Sequence, residues 1–455
     1  MNFVLSIVKC DKIMYYKYIN ISKRSYLETG DMQMDVLITP GKLAGTVLIP
    51  PSKSESIRAI IAASIAKGKS IISNVIYSDD ILATIGAMEK IGVKFIKNAQ
   101  QLIVSGVGRV CLSDDNFIDC NESGATLRFL IPLLSLSRQK VVFTGKASLL
   151  RRPMSVYDNM FKQMDISFQV NDRNIIMNGS LIPGYYELPG NISSQFISGL
   201  LFALPLLKGD SVVKLTTVFE SEEYVTMTVS MLKQFGIVID AVGDDEFRVQ
   251  GNQTYTPANF TVSGDFTQMA IFAVAGMMHG DITCLNIGLD TTQPDRRILE
   301  YCQQMGGTFQ TLDNGYFFYK SDLNGISVDI GQSPDLATAL ALLGAISKGT
   351  TIIDNAIRLR YKESNRLLSI YETLKTFGVD VEMTETSLII HGPSVFGGGT
   401  LESYNDHRIV MMATVASSFC QKPVLIKNAE AITKSYPDFF ADYAKIGGNF
   451  TLIEG

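Results

Sequence analysis

The chain is 455 residues long, 46% hydrophobic and 19% charged, and its 40 basic and 45 acidic side chains leave a net charge of −5. That length gives room for two or three domains with full cores, and the composition is too apolar for a disordered chain. A mild acidic balance argues against a general nucleic-acid or membrane-surface binder. Mean hydropathy is positive at +0.17, yet the longest apolar stretches, 196–207 and 269–278, fall short of the roughly 20 residues a membrane span needs.

The N-terminus, MNFVLSIVKCDK, lacks the cationic start of a secretory signal. Residues 1–33 are rich in Tyr and Lys without a clear period and read as a poorly ordered extension. The first unit begins at Met34, with MDVLITPGKLAGTVLIPPSKS. From there two patterns recur about every 70 residues. One is an amphipathic stretch closed by glycine and followed by an extended segment: AMEKIGVKF, SMLKQFGIVI, CQQMGGTF, TLKTFGVDV and YAKIGGNF, with glycines at 92, 236, 306, 378 and 447. FKQMDISF is a degenerate copy with Asp165 in the glycine place. The other is an Ala/Leu-rich run, a turn and a strand, with turn glycines at 68, 209, 280 and 349 and weaker copies near Gln139 and Lys422. Each repeat therefore predicts two helices, each ended by a left-handed Gly or a turn and followed by a β-branched strand. Six copies predict an α/β (α+β) fold of βαβαββ repeats, and a repeat that cannot bury both faces of its sheet alone must pack on others, three to a lobe. Gly and polar residues around 252–265 mark a crossover.

Familiar catalytic motifs fail. Gly68-Lys69-Ser70 imitates the end of a P-loop, but Ala63 stands where the loop needs glycine. No G-x-S-x-G elbow occurs. The six cysteines are scattered without a CxxC, which fits a reduced, cytoplasmic setting, and none of the three histidines is at metal-ligand spacing from another, so no metal is expected. What remains are cations and small hydroxyl residues at predicted helix starts. PPSKSESIRA places Lys53, Ser54 and Arg58 across one, where free N–H groups face an anion. CNESGATLRF sets Gly124 before a helix carrying Arg128, and LLRRPM puts Arg151 and Arg152 before Pro153, a candidate first helical residue. GNISSQF opens a helix with Ser193, Ser194 and Gln195. Later come SPDLATALAL with Asp335, LRYKESNRL with Lys362, Glu363 and Arg366, YNDHRIVM with His407 and Arg408, and AITKSYPDFF with Lys434. Taken singly, each reads as an ordinary cap or surface ion pair. Together, several precede the same helix of successive units: Lys53 and Gly124 in the first, Ser193 in the second, Asp335 and Lys362 later. Lys53, Arg58, Arg152, Lys362, Arg366, Arg408 and Lys434 against Asp335 and Glu363 leave an excess of five positive charges in a chain of net −5, which suits a multiply charged anion.

In order and spacing, the blocks PPSKS…R, ESGATLR, RRPM, SSQF, SPD, RYKESNR, YNDHR and TKSYPDFF resemble the enolpyruvyl transferases, in particular the branch that acts on shikimate 3-phosphate, from about residue 34 to the C-terminus. The resemblance implies two lobes closing over their substrates, one from 34–52 plus 263–455 and the other from 53–262, with the active site in the cleft between them. It also implies transfer of the enolpyruvyl group of phosphoenolpyruvate to the 5-hydroxyl of shikimate 3-phosphate with release of phosphate, in the route to chorismate and the aromatic amino acids. No cofactor, metal, nucleic acid or membrane is implied, and a cytoplasmic monomer is expected. Lys53, Ser54, Arg58, Ser193, Ser194, Gln195, Ser221, Tyr224, Asp335 and Lys362 would hold shikimate 3-phosphate. Lys53, Gly124, Arg152, Gln195, Arg366, Arg408 and Lys434 would hold phosphoenolpyruvate. Asp335 would take the hydroxyl proton, Glu363 would shuttle the proton at the methylene carbon, and Lys53 would bridge the substrates. Each substrate carries roughly three negative charges, which matches the cation excess.

Two positions depart from the family pattern. Glu122-Ser123-Gly124-Ala125 replaces an Asn-x-Gly-Thr turn, and Asn365 stands where Asp is usual. The alternatives are the sister transferase acting on UDP-N-acetylglucosamine, which typically has Lys-Asn where this chain has Lys53-Ser54, and a non-catalytic repeat scaffold, which gives Asp335 and Glu363 no special role.

Overall fold

Six helix ends along the chain turn through the left-handed region of backbone space. Gly92, Gly236, Gly306, Gly378 and Gly447 have φ of 89, 80, 89, 84 and 91°, and Asp165, at the degenerate copy, has φ of 55°. The turn amide bonds back to the helix, as where Gly378 N donates to Lys375 O at 2.9 Å, and the chain leaves as a strand. A side chain in this region costs about 1 kcal/mol or more, which only glycine avoids. Asp165→Gly is therefore expected to raise stability by about 0.5–1 kcal/mol. Gly378→Ala should lower it by about as much, since no atom lies within 4 Å of the added Cβ and only backbone strain acts. Urea denaturation reads both, and equal signs for the two variants would refute the account.

The computed structural model describes residues 33–112 and 116–454, so the expected N-terminal extension lies outside the described residues except for Gln33. Among the described residues there are six four-stranded sheets. The sheet built from Phe117–Asp119, Val141–Thr144, Ser167–Val170 and Ile175–Asn178 shows the pattern. A helix follows each of its first two strands (Gly124–Ser135, Ser155–Lys162). The first strand pairs parallel to the second, the second antiparallel to the fourth and the fourth antiparallel to the third.

Three sheets are assembled from distant sequence. Asn259–Thr261 supplies the edge strand beside Gly68–Ser73, and Met34–Thr39 lies between Val424–Lys427 and Asn449–Glu454 in the C-terminal sheet. Met34 therefore does not open the first repeat. Its strand completes the last one, pairing from Met34–Glu454 to Thr39–Asn449 with Val36 and Ile38 fully buried. The next strand, Gly45–Leu48, runs parallel to Ile282–Leu285. Strand pairing, not chain order, sets this assignment.

The chain divides into two compact units. Among the described residues, one comprises 33–50 with Gly264–Asp290 and 295–454, the other Pro51–Ser263 with Thr291–Pro294. Each has three sheets and its own buried apolar core. In the first, the helices Phe266–His279, Ala337–Ile346 and His407–Ser417 pack on one another, and nearly every residue of them is buried. Helices apolar on all sides are stable only when enclosed. The bounds differ from the expected ones: Pro51, Ser52, Ser263 and residues 291–294 go with the second unit. The reason is a polar clasp on the helix Lys53–Ile65. Ser52 N donates to Ser263 O at 2.8 Å, and buried Glu55 accepts from Ser263 N at 2.9 Å and Gln293 Nε2 at 3.2 Å. Among the described residues, no helix is long and apolar enough to cross a membrane.

Candidate active site

In the second unit the predicted residues fall at helix starts. Ser52 caps Lys53–Ile65 by accepting from Glu55 N, and the Lys53 ammonium pairs with Asp80 at 2.8 Å. Arg58, one turn further, is buried and spends three of its five donors on protein: Nε on Thr228 Oγ1 (2.7 Å), Nη1 on Ser54 O (2.9 Å) and Nη2 on Tyr224 O (3.1 Å). Its guanidinium stands over the Phe129 ring, and burial pulls its pKa down to about 10 against the opposing pull of Tyr224 and Glu55. Ser54, Arg58 and Tyr224 thus meet. Ser221, in the left-handed region with φ of 56°, precedes the helix Glu222–Gln234 that carries Tyr224.

The next two helix starts converge. Ser123 caps Gly124–Ser135, and Ser193 caps Ser194–Ala203 by accepting from Gln195 N. A Cβ on Gly124 would stand 2.6 Å from Arg152 Nη1, so glycine is what lets that cation approach the helix start. Pro153 is not the first helical residue as expected. The following helix is Ser155–Lys162 with Met154 as its cap, because a short helix, Ala147–Leu150, ends just before and Arg151 to Met154 form the link. Glu122, the departure from the family turn, is buried and accepts from Ser148 Oγ at 2.7 Å.

The first unit holds the denser cluster. Asp335 lies in the short 3₁₀ turn Pro334–Leu336 that opens the helix Ala337–Ile346. Its carboxylate accepts from Lys362 Nζ (3.0 Å), Arg366 Nη1 (2.9 Å) and Arg408 Nη2 (3.0 Å). Arg366, 1% exposed, also donates Nε to Asp406 Oδ2 at 2.9 Å and Nη2 to Glu363 Oε2 at 2.5 Å, so three carboxylates share one guanidinium. Lys434 Nζ donates to Asn405 O at 2.6 Å, beside Asp406.

Burial opposes the charge of Asp335, but Arg408, Lys362 and Arg366 outweigh it and hold the carboxyl well below the usual range. Burial lowers the pKa of Lys362, with Asp335 opposing. Arg366 is pushed up despite burial, by Asp406, Glu363 and Asp335.

Two features of the sequence reading change. Lys362 does not precede the same helix of its repeat as Asp335 does. It follows the 3₁₀ turn Ile357–Tyr361, and Asn365 caps the second helix of that repeat, Arg366–Thr376. Likewise Gly124 and Ser193 belong to the second and third repeats in chain order of their unit. The cations are also less bare than counted. Asp80 lies on Lys53 and Asp406 on Arg366, and in the first unit Lys362, Arg366, Arg408 and Lys434 face Asp335, Glu363 and Asp406 for an excess of one. Asp406 was visible in YNDHR, but its 0% exposure was not. Arg128 was visible in the ESGATLR block, but its contact with Gln195 was not. Asn365 accepts from Leu368 N at 3.3 Å, so this departure keeps the helix cap.

Buried carboxylates among clustered Lys and Arg at helix starts define an α/β protein suited to binding and protonating multiply charged anions. Residues 37–443 match the EPSP synthase (3-phosphoshikimate 1-carboxyvinyltransferase) family. A Clostridium perfringens (strain 13) protein named 3-phosphoshikimate 1-carboxyvinyltransferase is 42% identical over 91% of this chain and 98% of its own length. A Clostridioides difficile (strain 630) protein of the same name is 41% identical over 90% and 97%. The solved EPSP synthase from Acinetobacter baumannii superposes with a TM-score of 0.76 at 26% identity, covering 92% of this chain and 99% of that one. The enolpyruvyl transferase NikO from Streptomyces tendae shares the fold, with a TM-score of 0.77 at 16% identity over 93% and 99%. The chain belongs to the EPSP synthase family.

Proposed function

We propose that this enzyme transfers the enolpyruvyl group of phosphoenolpyruvate to the 5-hydroxyl of shikimate 3-phosphate, releasing phosphate, on the route to chorismate and the aromatic amino acids. The observation that carries the reading is the Asp335–Arg366–Glu363 cluster, two carboxylates beside the proposed cation sites, in a chain whose relatives bear this activity's name. Lys53, Ser54, Arg58, Ser193, Ser194, Gln195, Ser221, Tyr224, Asp335 and Lys362 take the sugar phosphate. Lys53, Gly124, Arg152, Gln195, Arg366, Arg408 and Lys434 take phosphoenolpyruvate.

Asp335 removes the 5-hydroxyl proton as the oxygen attacks the enol carbon, while Glu363 delivers a proton to the methylene carbon. Phosphate then leaves the tetrahedral adduct, carrying off the proton held by Asp335, as Glu363 takes a proton back from the methyl group. No covalent bond to the enzyme forms, so the chemistry rests on proton shuttling and fixed cations. In the unliganded protein Asp335 is ionised but a weak base, because three cations lie on it. Substrate phosphate and carboxylate groups that draw those cations off restore its basicity. The five described cysteines are all free thiols, which supports a reduced, cytoplasmic setting, and we read the active form as a monomer.

A phosphate-release assay with phosphoenolpyruvate and either shikimate 3-phosphate or UDP-N-acetylglucosamine tests the reading. Turnover with the nucleotide sugar alone would overturn it. Glu363→Gln is expected to lower turnover at least ~100-fold with the fold retained. Unchanged turnover would remove Glu363 from the mechanism.

A further inference from the structure

Arg128 is not among the proposed substrate contacts, yet its surroundings are specific. It lies on the first turns of Gly124–Ser135, is buried, and stacks over the Phe196 ring with its guanidinium carbon 5.0 Å from the centroid. Its Nη1 donates to Gln195 Oε1 at 2.8 Å. That same Nη1 is 3.6 Å from where a Cβ on Gly124 would stand, against 2.6 Å for Arg152 Nη1, so both arginines frame one helix start.

We infer that Arg128 is a positioning residue that sets which end of the Gln195 amide faces the anionic substrate. A guanidinium has donors and no acceptor, so the amide oxygen must face Arg128. The Nε2 group, which donates to none of the described residues, is then left as a donor for a phosphate or carboxylate oxygen. Without Arg128 the amide can rotate, and its oxygen, which repels an anion, can point the wrong way. Buried stacking on Phe196 keeps the guanidinium in register for this task. The inference rests on Gln195 contacting substrate as proposed above.

The test is a double-mutant cycle on KM for phosphoenolpyruvate, with near-ultraviolet circular dichroism and a urea midpoint as fold controls. Gln195→Ala is expected to raise KM about tenfold, which corresponds to one charge-assisted hydrogen bond of about 1.4 kcal/mol. Arg128→Met should raise it by a similar factor, and the double variant should be no worse than either single one. Arg128→Lys, which also only donates, should recover most of the loss. If the two effects multiply toward a hundredfold, or if folded Arg128→Met keeps its KM within twofold, Arg128 does not act through Gln195 and the inference fails. If Gln195→Ala itself leaves KM unchanged, the substrate contact of the proposed function is what fails. Should Arg128→Met not fold, Gln195→Glu tests the same point with Arg128 intact: the carboxylate keeps the Arg128 pair but offers no N–H, and KM must rise at least as far as for Gln195→Ala. Binding as in the wild type would overturn the inference.

Discussion

Asp335→Asn should lower turnover by about 10²–10⁴-fold, because it removes the base that the proposed addition step needs. It should also cost stability at neutral pH, about 3–5 kcal/mol, because Lys362, Arg366 and Arg408 lose the carboxylate that all three share. The two effects separate in their pH dependence. A carboxyl held below its usual range contributes stability that is complete above its unfolded value, about pH 4, and is lost as pH falls through the folded value. The stability gap between wild type and Asp335→Asn is therefore widest at neutral pH and closes as pH drops below ~4. Urea midpoints across that range measure it. A gap that stays constant into acid would mean that the loss came from packing and not from charge. Excess inorganic phosphate, an anion for the exposed cations, should restore more stability to the variant than to the wild type.

Arg366→Ala is the second large effect. Asp335, Glu363 and Asp406 converge on this guanidinium, and Asp406 has no solvent exposure. Removing the cation leaves a buried carboxylate without its partner, at a cost of about 3–5 kcal/mol, and takes away a proposed phosphoenolpyruvate contact. Arg366→Lys keeps the charge but loses the fork that reaches three acceptors in one plane, so it should recover less than half of the stability. The informative variant is the double one. Asp406→Asn removes the orphaned charge while its side-chain oxygen still accepts from Arg408 N, a bond made at 3.0 Å in the wild type. Arg366→Ala/Asp406→Asn should therefore be more stable than Arg366→Ala alone. A double variant that is less stable would show that Asp406 is not a charge kept buried by Arg366.

Local signals carried much of the fold. A helix that must end and hand over to a strand needs a left-handed residue, so glycines at 92, 236, 306, 378 and 447, with Asp165 between, were legible as six equivalent corners. The helix starts were equally legible, because Ser52, Ser123 and Ser193 cap by contacts within three residues. Blocks such as SSQF and RYKESNR, through family resemblance, pointed to the site residues. Contacts far along the chain were not readable. Met34–Thr39 is a half-buried strand by pattern, but only pairing with Asn449–Glu454 decides which repeat it completes. The clasp of Glu55 on Ser263 and Gln293 likewise joins residues more than 200 positions apart.

Composition and spacing by themselves determined that this chain is a globular repeat protein with cations at helix starts, since periodicity, capping and net charge are properties of near neighbours along the chain. Only the tertiary structure decided which carboxylates lie on those cations, because Coulomb energy depends on distance in space and on burial. Asp80 and Asp406 are ordinary acids in the sequence; folding pairs Asp80 with Lys53 in the second unit and Asp406 with Arg366 in the first, where it leaves the cluster nearly neutral.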